Sequence, residues 1–379
     1  MRIVSVVTLF TPQGAYGGPT RVALNQAAAL RDAGHEVRLA GAALGYLRPP
    51  REVDGVEVDL FAARRLLPGT GFAGLTSPGL QRWVRSALRD ADVVHVHLAR
   101  DLVTLPVARA ARRTGVPYVL QTHGMVDPSH HPLARPLDAL ATRGVLRDAA
   151  AVLHLTSHEA RGLEAVARTA LPLVELVNGV PSPRARPGSR EGGREVLFLA
   201  RLAPRKRPAL FVAAAQRLAP HHPDVRFTLV GPDEGEGEAV RRAIASDDAG
   251  GRIRWEGPLP LDETAARVAR ASVSVLPSVD EPFPMSVIEA MAAGVPVVVT
   301  DTCGLAGRIA RAGAGEVAGP DEQSLVDAVE RLLGDVDRAG AAGEAGQRLT
   351  REELSIEAVR ARLEAVYADA AGARVRART

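Results

Sequence analysis

A two-beat rhythm constrains this chain more than any other feature of its sequence. Short apolar runs, about four to six residues each, recur throughout, separated by longer stretches with the spacing of amphipathic helices. A run that short and that apolar suits a strand covered on both faces. The helical stretches supply the covers, and the repeat builds βα units into parallel sheets. In the first half the rhythm predicts strands at 3–7, 37–40, 56–61, 93–97, 118–121 and 151–155, with helices such as 20–32 and 101–113 between them. Aromatic residues are only 3% of the chain, so the core must be assembled from Ala, Val and Leu.

The rhythm breaks once. Residues 180–193 are rich in Pro, Gly, Ser and Arg and have no period, which is a linker composition. It then restarts, with strands expected at 196–200, 227–230, 253–255, 273–276 and 295–299 and a helical tail that includes 356–370. A length of 379 residues also favours two domains over one. The fold class expected is α/β, with two Rossmann-like doubly wound domains, 1–180 and 181–355, facing a central cleft lined by the carboxyl ends of both sheets, where ligands of such sheets bind.

Several classes are disfavoured. Cys303 is the single cysteine, so neither an internal disulfide framework nor a cysteine-based zinc site is available, and a reducing cytoplasm is the simplest setting. Met1 to Val7 reads as a first strand rather than a signal peptide, and no apolar run approaches the length of a membrane span. A net charge of +3 is no nucleic-acid signal. The way the charge is written is more informative: of 47 basic residues only Lys206 is lysine. A lysine kept against so strong an arginine bias points to a place where a compact point charge suits better than a planar fork, chance survival being the alternative.

Three segments could carry chemistry. Gly17-Gly18, between the first strand and a helix, would let a backbone approach a ligand closely and offer helix N–H groups to an anion, or would form a plain tight turn. No full Gly-x-Gly-x-x-Gly is present and no acidic residue ends strand two, which counts against a dinucleotide site. The second segment, Leu199 to Pro208, puts Arg201, Arg205, Lys206 and Arg207 at a strand end and a helix start, where the helix is already positive; a bound diphosphate would offset that repulsion. In the third, Asp280 to Val297, Glu281 lies in a loop and Glu289 on an apolar helix, where a carboxylate needs donors such as ribose or sugar hydroxyls, or an arginine. Phe283, Pro284, Met285, Ser286 and Val287 form the approach to that helix, whose first N–H groups could meet phosphate oxygens.

Together these segments resemble the signature of the retaining family-4 glycosyltransferases (glycosyl transferases group 1), which have the GT-B fold. Glu281 and Glu289 have the separation of that family's two glutamates, and Arg201 and Lys206 that of its Arg and Lys after a C-domain strand. The likeness extends to the double glycine, to His123-Gly124, to Asn178-Gly179-Val180 at the interdomain join and to the helical tail. It implies that Arg201 and Lys206 neutralise the departing diphosphate, Glu289 binds ribose, Glu281 holds the transferred sugar, His123 lies beside that sugar, and Gly17 and Gly18 approach the phosphate and the acceptor. It further implies that helix 356–370 returns to the N-domain. The activity implied is transfer of a hexose, with retention, from a nucleotide diphosphate sugar, UDP being the commonest base, to a hydroxyl of a glycan, lipid-linked or small-molecule acceptor. No cofactor and no metal are expected. Pro284 and Ala200 stand where the family usually has glycine, and the usual glycine-rich turn reads Gly231-Pro232-Asp233-Glu234-Gly235.

Other features have plainer readings. Asp90-Ala91-Asp92 and Asp335-Val336-Asp337 look like metal-binding Asp-x-Asp motifs, but their places before a strand and between tail helices make them structural. His95 and His97 alternate on a strand and share a face without an evident third metal ligand, and His97 is placed to line the acceptor side. His130, His131, His221 and His222 read as loop or helix-end residues, and Asp127 as an acceptor contact or a turn residue. Arg82, Trp83 and Arg85 on the stretch 80–88 allow peripheral contact with the inner membrane face, or an ordinary surface helix. A nucleotide-sugar epimerase of the same fold is the alternative activity, but no acid–base pair flanking a sugar is evident.

Overall fold

A computed structural model describes every residue except 13–16, 68, 130, 181–192, 247–249, 261–262 and 377–379; the side chains of 17 and 373–376 are also left aside. Most of the linker expected at 180–193, and His130, therefore lie outside the described residues. The chain divides into two compact units, Met1–Gly179 with Ile356–Thr379, and Val180–Ser355.

The first unit is built on ten strands: β1 (Arg2–Phe10), β2 (Glu36–Ala43), β3 (Glu52–Val53), β4 (Val56–Ala62), β5 (Arg64–Arg65), β6 (Leu75–Thr76), β7 (Val93–His97), β8 (Tyr118–Gln121), β9 (Ala151–His154) and β10 (Leu173–Glu175). Eight of them form one sheet in the order β10-β9-β8-β7-β1-β2-β4-β3, parallel except for β3 against β4, while β5 and β6 make a small separate ribbon. Strand alternation divides the core between the two faces: Val4 and Val6 of β1 point into one apolar cluster, Ile3 and Val7 into the other. On the second face, helix Ile356–Arg376 contributes Ile356, Val359, Leu363, Val366, Tyr367 and Ala370, a stripe spaced three and four residues apart.

The second unit contains β11 (Arg194–Leu199), β12 (Val225–Val230), β13 (Ile253–Trp255), β14 (Val273–Leu276), β15 (Val297–Thr300) and β16 (Gly315–Ala318) in the all-parallel order β13-β12-β11-β14-β15-β16. In chain order this is 3-2-1-4-5-6, the doubly wound arrangement.

All eleven strands expected from the rhythm are present, with ends shifted by up to three residues. Unanticipated are β3, β5, β6, β10 and β16, which are too short or too poor in apolar residues to register as runs. Gly17 and Gly18, expected in a loop, are instead the first residues of helix Gly17–Asp32.

Candidate active site

In the second unit the chain lays down β11, β12 and β13 in one direction, then returns to place β14 on the other side of β11. The loops leaving β11 and β14 therefore lie side by side at the carboxyl ends of these strands, the switch point where such sheets bind ligands. The loop after β11 carries Arg201, passes through the turn Pro204–Lys206 and starts helix Pro208–Leu218. The loop after β14 carries Glu281 and starts helix Met285–Ala292.

Polar contacts join the two loops. The Val279 N–H donates to the Arg205 carbonyl at 3.0 Å, and Arg205 Nη1 donates to the Asp280 carbonyl at 3.1 Å. Lys206 Nζ donates to Glu281 Oε2, and Arg205 lies 3.6 Å from the same oxygen. Lys206 is 9% exposed and Glu281 6%, so this ion pair is buried. Burial pulls the Lys206 pKa below the ordinary lysine value, while the Glu281 charge opposes the shift. Arg201 pairs with Glu234 at 2.7 and 2.5 Å from Nη1. Three cations thus stand over two carboxylates at one strand end, a local positive excess suited to a polyanion.

Backbone geometry supports the arrangement. Asp280 and Arg207, flanking Glu281 and Lys206, have φ of 48° and 53°, left-handed values that side chains adopt rarely and that cluster at functional sites. Gly231, after β12, has φ 149°, and a Cβ there would lie 1.9 Å from the Ala200 carbonyl oxygen; glycine is what lets the β12 loop close against Arg201.

Along helix Met285–Ala292, Val287, Ile288, Ala290 and Met291 are buried, whereas Met285, Ser286 and Glu289 keep partial exposure on one face. Glu289 is thus partly exposed on a mostly buried helix. Pro284 is the N-cap residue of the helix, and its carbonyl accepts from the Val287 N–H at 3.2 Å. That N–H, expected for phosphate, is already paired. The Phe283 side chain is buried. Cys303, nearby, is a spectator: burial pushes its thiol up to about 12.

In the first unit the winding reverses between β1 and β7. Helix Gly17–Asp32 starts beyond the end of β1, where Thr20 Oγ1 donates to the Leu9 carbonyl at 2.9 Å. A Cβ on Gly18 would meet no described atom within 4 Å, so packing does not require that glycine. At the ends of β7 and β8, His95 stacks on His97 with centroids 4.4 Å apart, and His97 Nδ1 lies 2.8 Å from His123 Nε2. Tyr367, on the last helix, bonds His95 Nδ1 at 2.7 Å. Burial pushes His95 and His123 down to about 3 and His97 well below its ordinary value, so all three rings are neutral near pH 7. His123 and Gly124 have φ of 52° and 72°. Buried Glu159 holds this turn, accepting from Thr122 Oγ1 at 2.5 Å, the Gly124 N–H at 2.6 Å and the Leu155 N–H at 2.7 Å.

The model for glycosyl transferases group 1 matches residues 181–349, and that for the glycosyl transferase 4-like domain matches 17–179. The 2-deoxystreptamine glucosyltransferase of Streptomyces kanamyceticus is 30% identical over 76% of this chain and 81% of its own length. The chain belongs to the group 1 glycosyl transferases. The phosphatidyl-myo-inositol mannosyltransferase of Mycolicibacterium smegmatis is 28% identical over 95% of this chain and 92% of its own. Among solved structures, Anabaena HepE in complex with UDP and glucose superposes with a TM-score of 0.74 at 18% identity, covering 96% of this chain and 98% of that one. Sucrose-phosphate synthase from Thermosynechococcus elongatus gives 0.77 at 19%, covering 98% and 100%. At such identities the likeness concerns the fold, which is GT-B. The protein is a glycosyltransferase that uses a nucleotide-sugar donor.

Within this transferase the structure brings Arg201, Lys206 and Glu281 to one strand-end region, with Glu289 on the helix that follows. It holds His123 in the other unit beside two further histidines. Both Asp-x-Asp segments do structural work: Asp92 accepts from the Arg2 N–H at 2.7 Å, and Asp335 caps helix Val336–Glu353. Among the described residues no group of three or more His, Cys, Asp or Glu could hold a metal ion. Asp127 is tied to Arg100, whose Nη1 lies 3.5 Å from Oδ1. Trp83 turns toward the protein, against Phe61 and under the Arg38 guanidinium, and leaves Arg82, Arg85 and Arg89 exposed. No described helix is long and apolar enough to cross a membrane.

Sequence reading missed Glu159, Glu234, Ser5 and Tyr367. Glu159 carried a signal: Thr156-Ser157-His158-Glu159 is a capping box, in which the glutamate normally turns back to its own helix start. Thr156 does cap, accepting from the Glu159 N–H at 3.1 Å, but the Glu159 carboxylate reaches across to the end of β8 instead.

Proposed function

We propose that this glycosyltransferase moves a hexose, with retention and without a metal, from a UDP-sugar to a hydroxyl on a small polyhydroxylated ring or on a glycan or lipid carrying one. The observation that carries the reading is the buried Lys206–Glu281 pair flanked by Arg205 and Arg201 at the ends of β11 and β14. Breaking a glycosyl–phosphate bond loads negative charge on the diphosphate, and fixed cations in a desolvated place stabilise that charge best. In this reading Arg201 and Lys206 take the diphosphate, Met285 and Ser286 offer N–H groups to it, Glu289 takes the ribose and Glu281 the sugar hydroxyls. The first unit supplies the acceptor side, with Gly17, Gly18 and the neutral ring of His123, which adds no repulsion against positive charge growing on the sugar. The acceptor hydroxyl oxygen bonds to the anomeric carbon as the carbon–phosphate oxygen bond breaks, and the leaving diphosphate takes both the electron pair and the hydroxyl proton. The exposed Arg82, Arg85 and Arg89 offer an anionic membrane surface a contact in which Trp83 has no part.

UDP is favoured because UDP appears with similar folds, as in Anabaena HepE. Ring acceptors are favoured because relatives act on 2-deoxystreptamine and on inositol derivatives. Thermal-shift measurements with UDP-, GDP-, ADP- and dTDP-sugars, followed by product analysis with 2-deoxystreptamine and inositol 3-phosphate, test both. A shift with UDP-sugars that Lys206→Met abolishes is expected. No shift with any of them sinks the donor site, and a new epimer formed without acceptor sinks the transferase reading.

A further inference from the structure

His123 keeps partial exposure, but behind it stands a histidine that is not exposed at all. His97 ends β7 with its whole side chain covered, and the functional reading gives it nothing to do. The two rings are nearly parallel, 6° apart, with centroids at 5.1 Å and nitrogens at 2.8 Å. Faces in contact would bring the centroids nearer than that. The rings instead meet edge to edge in almost one plane, which is the geometry of an N–H···N hydrogen bond. A neutral imidazole has one donor nitrogen and one acceptor nitrogen, so a single proton lies between the rings, and its position decides what the other nitrogen of His123 can do.

The rest of the environment limits the choice. His97 Nε2 faces Ser5 Oγ at 3.4 Å, a group able to accept. His95 covers one face of the His97 ring, and its own Nδ1 bonds the Tyr367 hydroxyl rather than either nitrogen of His97. Glu159 fixes the turn that carries His123 from the other side, through Thr122 and the Gly124 N–H. If His97 carries its proton on Nε2 and donates it to Ser5, its Nδ1 is an acceptor and His123 must donate from Nε2. Both rings then have the Nε2–H form that histidine prefers in water.

The geometry points to His97 as a positioning residue that fixes the tautomer of His123: it accepts the His123 Nε2–H and so leaves His123 Nδ1 as an uncharged acceptor for a substrate hydroxyl. The hydroxyl donates to Nδ1, and no proton has to be removed from the ring first. This deepens the proposed function and rests on its assignment of His123, but the tautomer itself can be measured without reference to turnover.

The test uses the full chain labelled with 15N-histidine, with the His123 signals assigned by their loss in His123→Gln. At neutral pH, His123 is expected to show a protonated Nε2 and a bare Nδ1. His97→Asn, whose amide oxygen can take the place of Nδ1, should preserve that pattern and most of the turnover. His97→Phe, which has no acceptor, should give a mixture of tautomers and lower kcat about tenfold, the value of one lost hydrogen bond, with the donor KM little changed. A proton on His123 Nδ1 in the unaltered protein overturns the inference, and this arm needs no variant to fold. An unchanged His123 pattern in His97→Phe overturns it too. If His123→Gln keeps full turnover, the site assignment fails on its own account, while the tautomer result still decides the role of His97.

Discussion

Three neutral histidines in one unit, His95 and His97 buried and His123 partly so, make that unit sensitive to acid. When the first unit unfolds, His95, His97 and His123 regain the ordinary value of 6.5; when it is folded, burial holds His95 and His123 near 3 and His97 well below 6.5. Above pH 6.5 both states are neutral at these sites and nothing is lost. Below it the unfolded chain takes up protons that the folded unit refuses, so stability falls with pH until the folded rings protonate. At pH 5 His95 and His123 each contribute up to about 2 kcal/mol of loss, roughly 1.5 units at 1.36 kcal/mol each, or about 4 kcal/mol together, and His97 adds a loss in the same direction. The sum is comparable with the low end of the whole stability of an ordinary domain, about 5–15 kcal/mol. The two tryptophans make the measurement local, since Trp83 lies in the first unit and Trp255 in the second. Urea unfolding of the Trp255→Phe protein, followed through Trp83 at pH 7.5, 6 and 5, should show the midpoint collapsing, and the Trp83→Phe protein gives the second unit as reference. A loss below about 1 kcal/mol by pH 5 would mean that the rings take up protons in the folded state, and the argument from burial would be refuted.

Lys206→Met should leave Glu281 buried with only Arg205 beside it, destabilise the second unit by about 3 kcal/mol in urea melts and abolish donor binding. Lys206→Arg should keep the charge yet lose most of the turnover, because a planar fork does not replace a buried ammonium on one carboxylate oxygen; wild-type kinetics in that variant would contradict the reading. Gly231→Ala forces a Cβ against the Ala200 carbonyl and should cost about 2–4 kcal/mol, read through Trp255 fluorescence. Cys303, with a thiol near 12, should resist iodoacetamide at pH 8 in the native protein and react fully in denaturant.

Local features were legible in the sequence because they are made locally. A run such as Val93-Val94-His95-Val96-His97 is a strand by period and composition, and its two histidines share a face because side chains alternate. The basic cluster after β11 was equally plain. Glu289 keeps partial exposure because an apolar helix of eight residues need not be covered all round, and its Met285–Ser286–Glu289 face stays partly open. Trp83 could be read from the sequence as part of a membrane contact or of an ordinary surface helix; only the structure gives its neighbours in space, Phe61 and Arg38.

By itself, then, the sequence determined that this chain builds two parallel-sheet units and that its single lysine stands at a strand end. Only the tertiary structure decided what that lysine meets. Glu281 lies 75 residues further on and reaches Lys206 because β14 pairs with β11. His123 reaches His97 because β8 pairs with β7. Strand order is a property of the whole sheet, since a strand of the same composition could sit at several places in it. The side chains at the strand ends take their partners, and their shifted pKa values, from whichever neighbour the winding brings alongside.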